Sequence, residues 1–234
     1  MLHDKNSKIL IVGTGRSGSS LLSAIIADSD HSFGMEKAES WDKVKGAFEH
    51  KNLHLAYRNY SRSDKISKSL LPSFFSSFFR RKGDKYLKML LDNVTACKSS
   101  KLVWMIQRIH HLGYNPKIIV QYRKFQDYSR SRYLKFGWSM NKMLDEYCNV
   151  YSTSLLMLGV FEGVAVNYES ILDKNNKDWA EDISKITGID VKRLLDSRDR
   201  IVQRDKDSKP IKGFYSDNKA DSIYKDLEAF SQTR

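Results

Sequence analysis

Apolar positions fall along this chain in two rhythms. The run Lys8-Ile9-Leu10-Ile11-Val12 is short, unbroken and rich in β-branched residues, and it stops at Gly13. That pattern predicts a strand buried on both faces. From Ser19 to Asp28 the apolar residues Leu21, Leu22, Ala24, Ile25 and Ile26 recur at helical spacing, so a helix follows a glycine turn. A second strand is expected over 31–35, then a helix through Trp41, Val44 and Phe48. Leu102–Ile106 reads as a third strand and Lys117–Tyr122 as a fourth, with Pro116 at its start, where proline is tolerated. A helix begins near Gln126 and a long one covers about 139–158. Gly163–Tyr168 reads as a fifth strand, and Trp179, Ile183 and Ile186 mark a helix that ends at Gly188.

Strands alternating with helices predict an α/β domain: a three-layer αβα sandwich around a parallel sheet. One domain spans 1–234, with a helical insertion or lid at about 53–88 after the second strand. A polar segment from 198 wraps the core and ends in a helix near 221–230. The insertion is basic and aromatic, with Phe74, Phe75, Phe78 and Phe79 just ahead of Arg80, Arg81 and Lys82. Three readings stay open for it. Its aromatics pack on the core, contact an acceptor substrate, or lie on a membrane surface.

The formal net charge of +12 favours anionic partners such as nucleotides, sulfated substrates or an acidic membrane. No nucleic-acid-binding motif is visible, so nucleic acid is not the expected partner. Two cysteines, Cys97 and Cys148, do not make a disulfide framework, which fits a reducing cytoplasm. The polar N-terminal residues lack a signal-peptide pattern, and no run approaches a membrane span. Metal-ligand spacing is absent. Oligomeric state is left open.

Candidate chemistry centres on Gly13-Thr14-Gly15-Arg16-Ser17-Gly18-Ser19-Ser20. A glycine turn from strand to helix exposes backbone N–H groups at the helix start, where the dipole attracts anions. Arg16 adds a fixed cation, and Ser17, Ser19 and Ser20 add hydroxyls. Gly13, Gly15 and Gly18 satisfy G-x-G-x-x-G, with Glu36 near the expected ribose-binding acid, so an NAD(P)-dependent enzyme is one reading. A nucleoside-triphosphate loop would need lysine after Gly18, where Ser19 stands. A basic module that binds polyanions without catalysis is a further alternative.

A second motif changes the balance. The strand ending in Arg123 is followed by Asp127 and, eight residues after the arginine, by Ser131. That spacing can bring a guanidinium and a hydroxyl to one phosphate at the sheet's C-terminal edge. The loop from Thr14 to Leu22 resembles the 5'-phosphosulfate loop of sulfotransferases that use 3'-phosphoadenosine 5'-phosphosulfate (PAPS). Arg123, Asp127 and Ser131 resemble that family's 3'-phosphate motif, with Phe125 and Gln126 in place of its usual proline and basic residue. Val166–Leu172 is similar to its strand ending in Tyr-Glu-x-Leu, which makes Tyr168 and Glu169 structural.

The resemblance implies a P-loop-NTPase-like sulfotransferase fold. It also implies sulfuryl transfer from PAPS, as co-substrate, to a hydroxyl of a carbohydrate or small-molecule acceptor, without a metal. Gly15, Arg16, Ser17, Gly18, Ser19, Ser20, Arg123 and Ser131 would bind the nucleotide. Arg16 would stabilise charge on the bridging oxygen. A glutamate or histidine would serve as base, which leaves Glu36, His110 and His111 as candidates. The C-terminal Arg200, Arg204 and Lys209–Gly213 are candidates for closing over the 3'-phosphate.

Overall fold

A computed structural model describes residues 6–34, 50–68, 73–202 and 216–232. Strand β1 (Ser7–Val12) leads through the glycine loop into helix α1 (Ser19–Asp28). Helices α2 (Lys51–Ser67) and α3 (Ser73–Leu91) follow, then the short strand β2 (Ala96–Lys98). A 3-10 turn (Ser100–Trp104) and helix α4 (Ile106–His111) lead to β3 (Asn115–Tyr122), α5 (Phe125–Phe136) and α6 (Met140–Leu158). The chain continues through β4 (Gly163–Asn167), α7 (Tyr168–Leu172), α8 (Asp178–Thr187) and α9 (Val191–Val202), and α10 (Asn218–Gln232) is the last helix described.

The four strands among the described residues are all parallel, in the order β2-β1-β3-β4. Alternate residues of β1 feed two cores. Ile9 and Ile11 pack with Leu22, Ile25, Trp179 and Leu194 of α1, α8 and α9. Leu10 and Val12 pack with Leu53, Leu90, Ile106, Tyr151 and Leu227 on the opposite side. Helices therefore cover both faces, as the expected three-layer sandwich requires. This double burial is why β1 reads as a continuous apolar run rather than an alternating one.

The sequence reading fails at particular elements. Leu102–Ile106 is not a strand; it lies in the 3-10 turn and the start of α4. Ser99 starts that turn by accepting a hydrogen bond from Lys101 N–H. Leu102, Val103, Ile106 and Ile109 then bury one helical face. A short apolar run alone does not separate strand from buried helix. The strand beside β1 is instead Ala96-Cys97-Lys98, which carries no β-branched residue to announce it. Residues 31–34 form no strand, although Ser32 O accepts from Thr95 N and Ala96 N at the start of β2. The helix expected through Trp41 and Phe48 lies outside the described residues. The helical pair α2–α3 thus precedes the second strand observed in the sheet.

Phe74, Phe75 and Phe78 are exposed, so they do not pack on the core. The fifth expected strand ends one residue early because the Asn167 side chain accepts from Glu169 N–H and caps α7. In the C-terminal part, α9 continues to Val202, and α10 packs on α6 and β4. Arg204 and Lys209–Gly213 lie outside the described residues. Cys97 and Cys148 are buried free thiols, and burial pushes the Cys97 thiol up to about 12. No helix among the described residues is long and apolar enough to cross a membrane.

Candidate functional site

Strand β1 sits inside the sheet between β2 and β3. The chain leaves β1 into α1 on one face and leaves β3 into α5 on the other, where Phe125 and Tyr128 join the opposite core. Two successive loops that diverge to opposite faces open a crevice at the C-terminal ends of the strands. Both motifs singled out in the sequence lie on that crevice.

The glycine loop is held from beneath. Thr14 is buried, and its N–H and Oγ1 meet the Tyr151 hydroxyl at 3.4 and 3.1 Å. That hydroxyl also donates to Gln121 O at 3.0 Å, so one phenol ties the end of β1 to the end of β3. Burial pushes the Tyr151 phenol up to about 12. Gly18 starts α1 at φ 93°, a left-handed conformation that favours glycine, and a Cβ there would fall inside the Tyr168 ring. At Gly15 a Cβ would stand 2.5 Å from Arg132 Nη2. Arg16 also has a positive φ, 77°, and its side chain is exposed.

The second half is built on β3 and α5. Tyr147, one helical turn before Tyr151, donates to Arg123 O at 2.8 Å and fixes the end of β3. Arg123 Nε contacts Glu169 at 3.2 Å and Asp127 at 3.9 Å, and its guanidinium lies 4.6 Å above the Tyr168 ring. Its two Nη groups make no hydrogen bond among the described residues. They leave an open fork suited to a phosphate. Burial raises the Glu169 carboxyl, with the contact to Arg123 pulling the other way. Arg16 Nε donates to Ser131 Oγ at 2.9 Å, so the two motifs touch. Ser131 accepts that bond, and its own O–H stays available to donate.

Two further cations frame the loop. Lys98, at the end of β2, is buried and reaches Ser20 Oγ at 3.3 Å. Arg132 is buried against Gly15, bonds both oxygens of Glu146 at 2.6 and 2.7 Å, and lies 4.2 Å from the centre of the Trp138 ring. Tyr128 donates to the same carboxylate at 2.7 Å. Arg132 acts here as a charged wall behind the loop, held in place by Glu146.

Gly15, Arg16, Ser17, Gly18, Ser19, Ser20, Arg123 and Ser131 are therefore brought to one crevice. His110 and His111 are not. They end α4 ahead of β3, and the His110 ring packs 5.3 Å from Phe161, which precedes β4. That is the N-terminal edge of the sheet, with the eight residues of β3, about 25 Å of chain, between it and the loop. Their placement after a strand depended on 102–106 being one. Glu36 lies outside the described residues. Arg200 pairs with Asp28 at the far end of α1, away from the loop. Lys98, Arg132, Tyr147 and Tyr151 were not singled out. The tyrosines, four residues apart on a buried helix face, carried the only usable signal, since a buried phenol needs a partner.

The crevice suits a bound anion. No acidic residue stands in the first turn of α1, and its N-cap Gly18 supplies no side-chain cap. The hydroxyl of Ser17 is buried at that helix start without a hydrogen-bond partner among the described residues. An orphaned donor beside uncapped N–H groups is the arrangement an anion completes.

No protein-family model matches the chain, and no curated protein matches it. Among solved structures, the chain is similar to the sulfotransferase domain from the Synechococcus PCC 7002 olefin synthase, at 16% identity and a TM-score of 0.47. The match covers 97% of this chain and 94% of that one.

Proposed function

We propose that this chain is a sulfotransferase that moves the sulfuryl group of PAPS to a hydroxyl of a carbohydrate or small-molecule acceptor. The observation that carries the reading is the pairing of two anion sites across one crevice. The loop at α1 offers N–H groups, Arg16 and serine hydroxyls; β3 and α5 offer the Arg123 fork and Ser131. Arg16 of the first element touches Ser131 of the second, so the two elements adjoin, which supports a single ligand that spans both. A nucleotide with phosphates at both its 5' and 3' positions fits two such sites.

Sulfuryl transfer forms a bond from acceptor oxygen to sulfur and breaks the bond from sulfur to the 5'-phosphate oxygen, which leaves with its electron pair; the acceptor proton passes to a base. In this chain the α1 N-terminus, Ser17, Ser19 and Ser20 would hold the 5' end. Arg16 and Lys98 would stabilise charge on the leaving phosphate. Arg123 and Ser131 would hold the 3'-phosphate. Glu36 is the proposed base. A cytoplasmic setting is part of the same proposal.

The nicotinamide reading rests on the same glycine loop and on Glu36; the cation Lys98 beside Ser20 favours the sulfuryl-transfer reading over it. Transfer of radiolabelled sulfuryl from PAPS to a panel of sugar and alcohol acceptors tests the proposal. Label should reach an acceptor with the wild-type chain and not with Arg16→Ala. Protection of the folded chain by NADPH, and none by 3'-phosphoadenosine 5'-phosphate, would reject it.

A further inference from the structure

Helices α2 and α3 form an antiparallel pair with an anchored base and a projecting tip. At the base, Leu53, Ala56, Leu87, Leu90 and Leu91 belong to the core. Asp84 ties that base to α4 by accepting from Arg108 at 2.7 and 2.5 Å and from Tyr60 at 2.8 Å. The tip, about 20 Å further along α3 from Leu87 to Phe74, contributes nothing to the core. Among the described residues, its contacts include these within the pair: Ser63 Oγ donates to Ser76 O at 3.0 Å, and the Arg62 guanidinium lies 5.8 Å from the Phe79 ring.

What the tip presents outward is apolar. Phe74, Phe75 and Phe78 are 71, 47 and 51% exposed, and they fall at i, i+1 and i+4 on one face of α3. The inward face of the same helix is Ser76, Gly83, Leu87 and Leu90. Continuing along the outward face, the next exposed residues are Arg81, Lys82 and Lys85. The only acid of α3 is Asp84, which is occupied by Arg108 and Tyr60. The outward stripe is therefore aromatic at the tip and cationic behind it, in a chain of net charge +12.

We propose that this stripe docks the protein onto an anionic lipid bilayer. The three phenylalanines would enter the headgroup boundary while Arg81, Lys82 and Lys85 pair with acidic headgroups. Charge complementarity favours this occupant. Three exposed phenylalanines on one helix face make a contiguous apolar patch, and cations set behind them on the same face match an apolar layer rimmed by negative charge. The proposed contact is peripheral, with α3 lying along the surface; no helix among the described residues is long and apolar enough to cross a membrane. The proposal stands independently of the nucleotide reading.

Co-sedimentation of the full chain with phosphatidylcholine vesicles, with and without phosphatidylserine, tests it. The chain should pellet with phosphatidylserine vesicles, and added salt should release it. Phe74→Ser/Phe75→Ser/Phe78→Ser should keep its circular dichroism and melting temperature yet lose vesicle binding at least about tenfold. Arg81→Glu/Lys82→Glu/Lys85→Glu should do the same. Wild-type chain that stays in the supernatant overturns the proposal, as does binding that neither variant alters. A wild-type dimer that the phenylalanine variant turns into a monomer would assign the stripe to self-association instead.

Discussion

Arg16 Nε donates to Ser131 Oγ at 2.9 Å across 115 residues of sequence. The contact joins the loop after β1 to the helix after β3, and so brings the two proposed anion-binding elements together. Both residues keep donors for a ligand: the arginine its Nη groups, the serine its O–H. Ser131→Ala should weaken 3'-phosphoadenosine 5'-phosphate binding about tenfold to a hundredfold, the worth of a hydrogen bond to a charged group. Calorimetric titration measures it, and an unchanged affinity would remove Ser131 from the site.

Gly18 is fixed by two demands, a φ of 93° and the Tyr168 ring where a Cβ would sit. Gly18→Ala should cost about 1–3 kcal/mol from backbone strain alone, and should abolish nucleotide binding by shifting the start of α1. The additional Tyr168→Ala change should recover part of the stability, because it relieves the clash but not the strain. Urea unfolding of the three variants reports this. Equal stability for Gly18→Ala and wild type would contradict the loop geometry.

Tyr151 is a joint between β1 and β3. Removing its hydroxyl takes a donor from Gln121 O and the partner from Thr14 N–H and Oγ1. Tyr151→Phe should therefore cost about 1–3 kcal/mol. The melting temperature should fall by roughly 2–4 °C for each kcal/mol in a chain of this size. Leu156, exposed on the same helix, serves as control: Leu156→Ala should leave the transition nearly in place.

The base of the helical pair should respond to pH. Burial raises the Asp84 carboxyl, but hydrogen bonds from Arg108 and Tyr60 outweigh it and hold the group below its ordinary 3.8. A depressed pKa in the folded state means that the native chain binds fewer protons than the unfolded one. This stabilisation is full above about pH 4 and is lost as pH falls through the folded value. Asp84→Asn should lower stability at neutral pH by about 1–2 kcal/mol. The gap to wild type should narrow in acid below pH ~4. A gap that is constant with pH would show that the ion pair contributes nothing.

Where the chain announced itself, it did so through burial pattern. β1, β3 and β4 are apolar runs sealed on both faces, and α1, α6 and α8 carry helical periodicity that the folded cores use directly. β2 was illegible because three residues, Ala96-Cys97-Lys98, are too few and too weakly β-forming to register. Its absence from the sequence reading promoted Leu102–Ile106 to a strand and drew His110 toward a crevice it does not reach. The proposed phosphate residues are legible because glycines and cations at a strand end have few other uses. The support behind them was not. Arg132 against Gly15 and Tyr151 beneath Thr14 are tertiary contacts that no local pattern encodes.

The proposed nucleotide site has two halves, and the Arg123 fork would read the 3'-phosphate. Calorimetric titration of wild type and Arg123→Ala with 3'-phosphoadenosine 5'-phosphate and with adenosine 5'-phosphate tests it directly. Wild type should prefer the 3'-phosphorylated nucleotide by about a hundredfold, the upper value for a charge-assisted contact. Arg123→Ala should lose most of that preference and keep only the share that Ser131 supplies. Equal affinity of the wild type for both, or a preference that Arg123→Ala leaves undiminished, would contradict this two-part site.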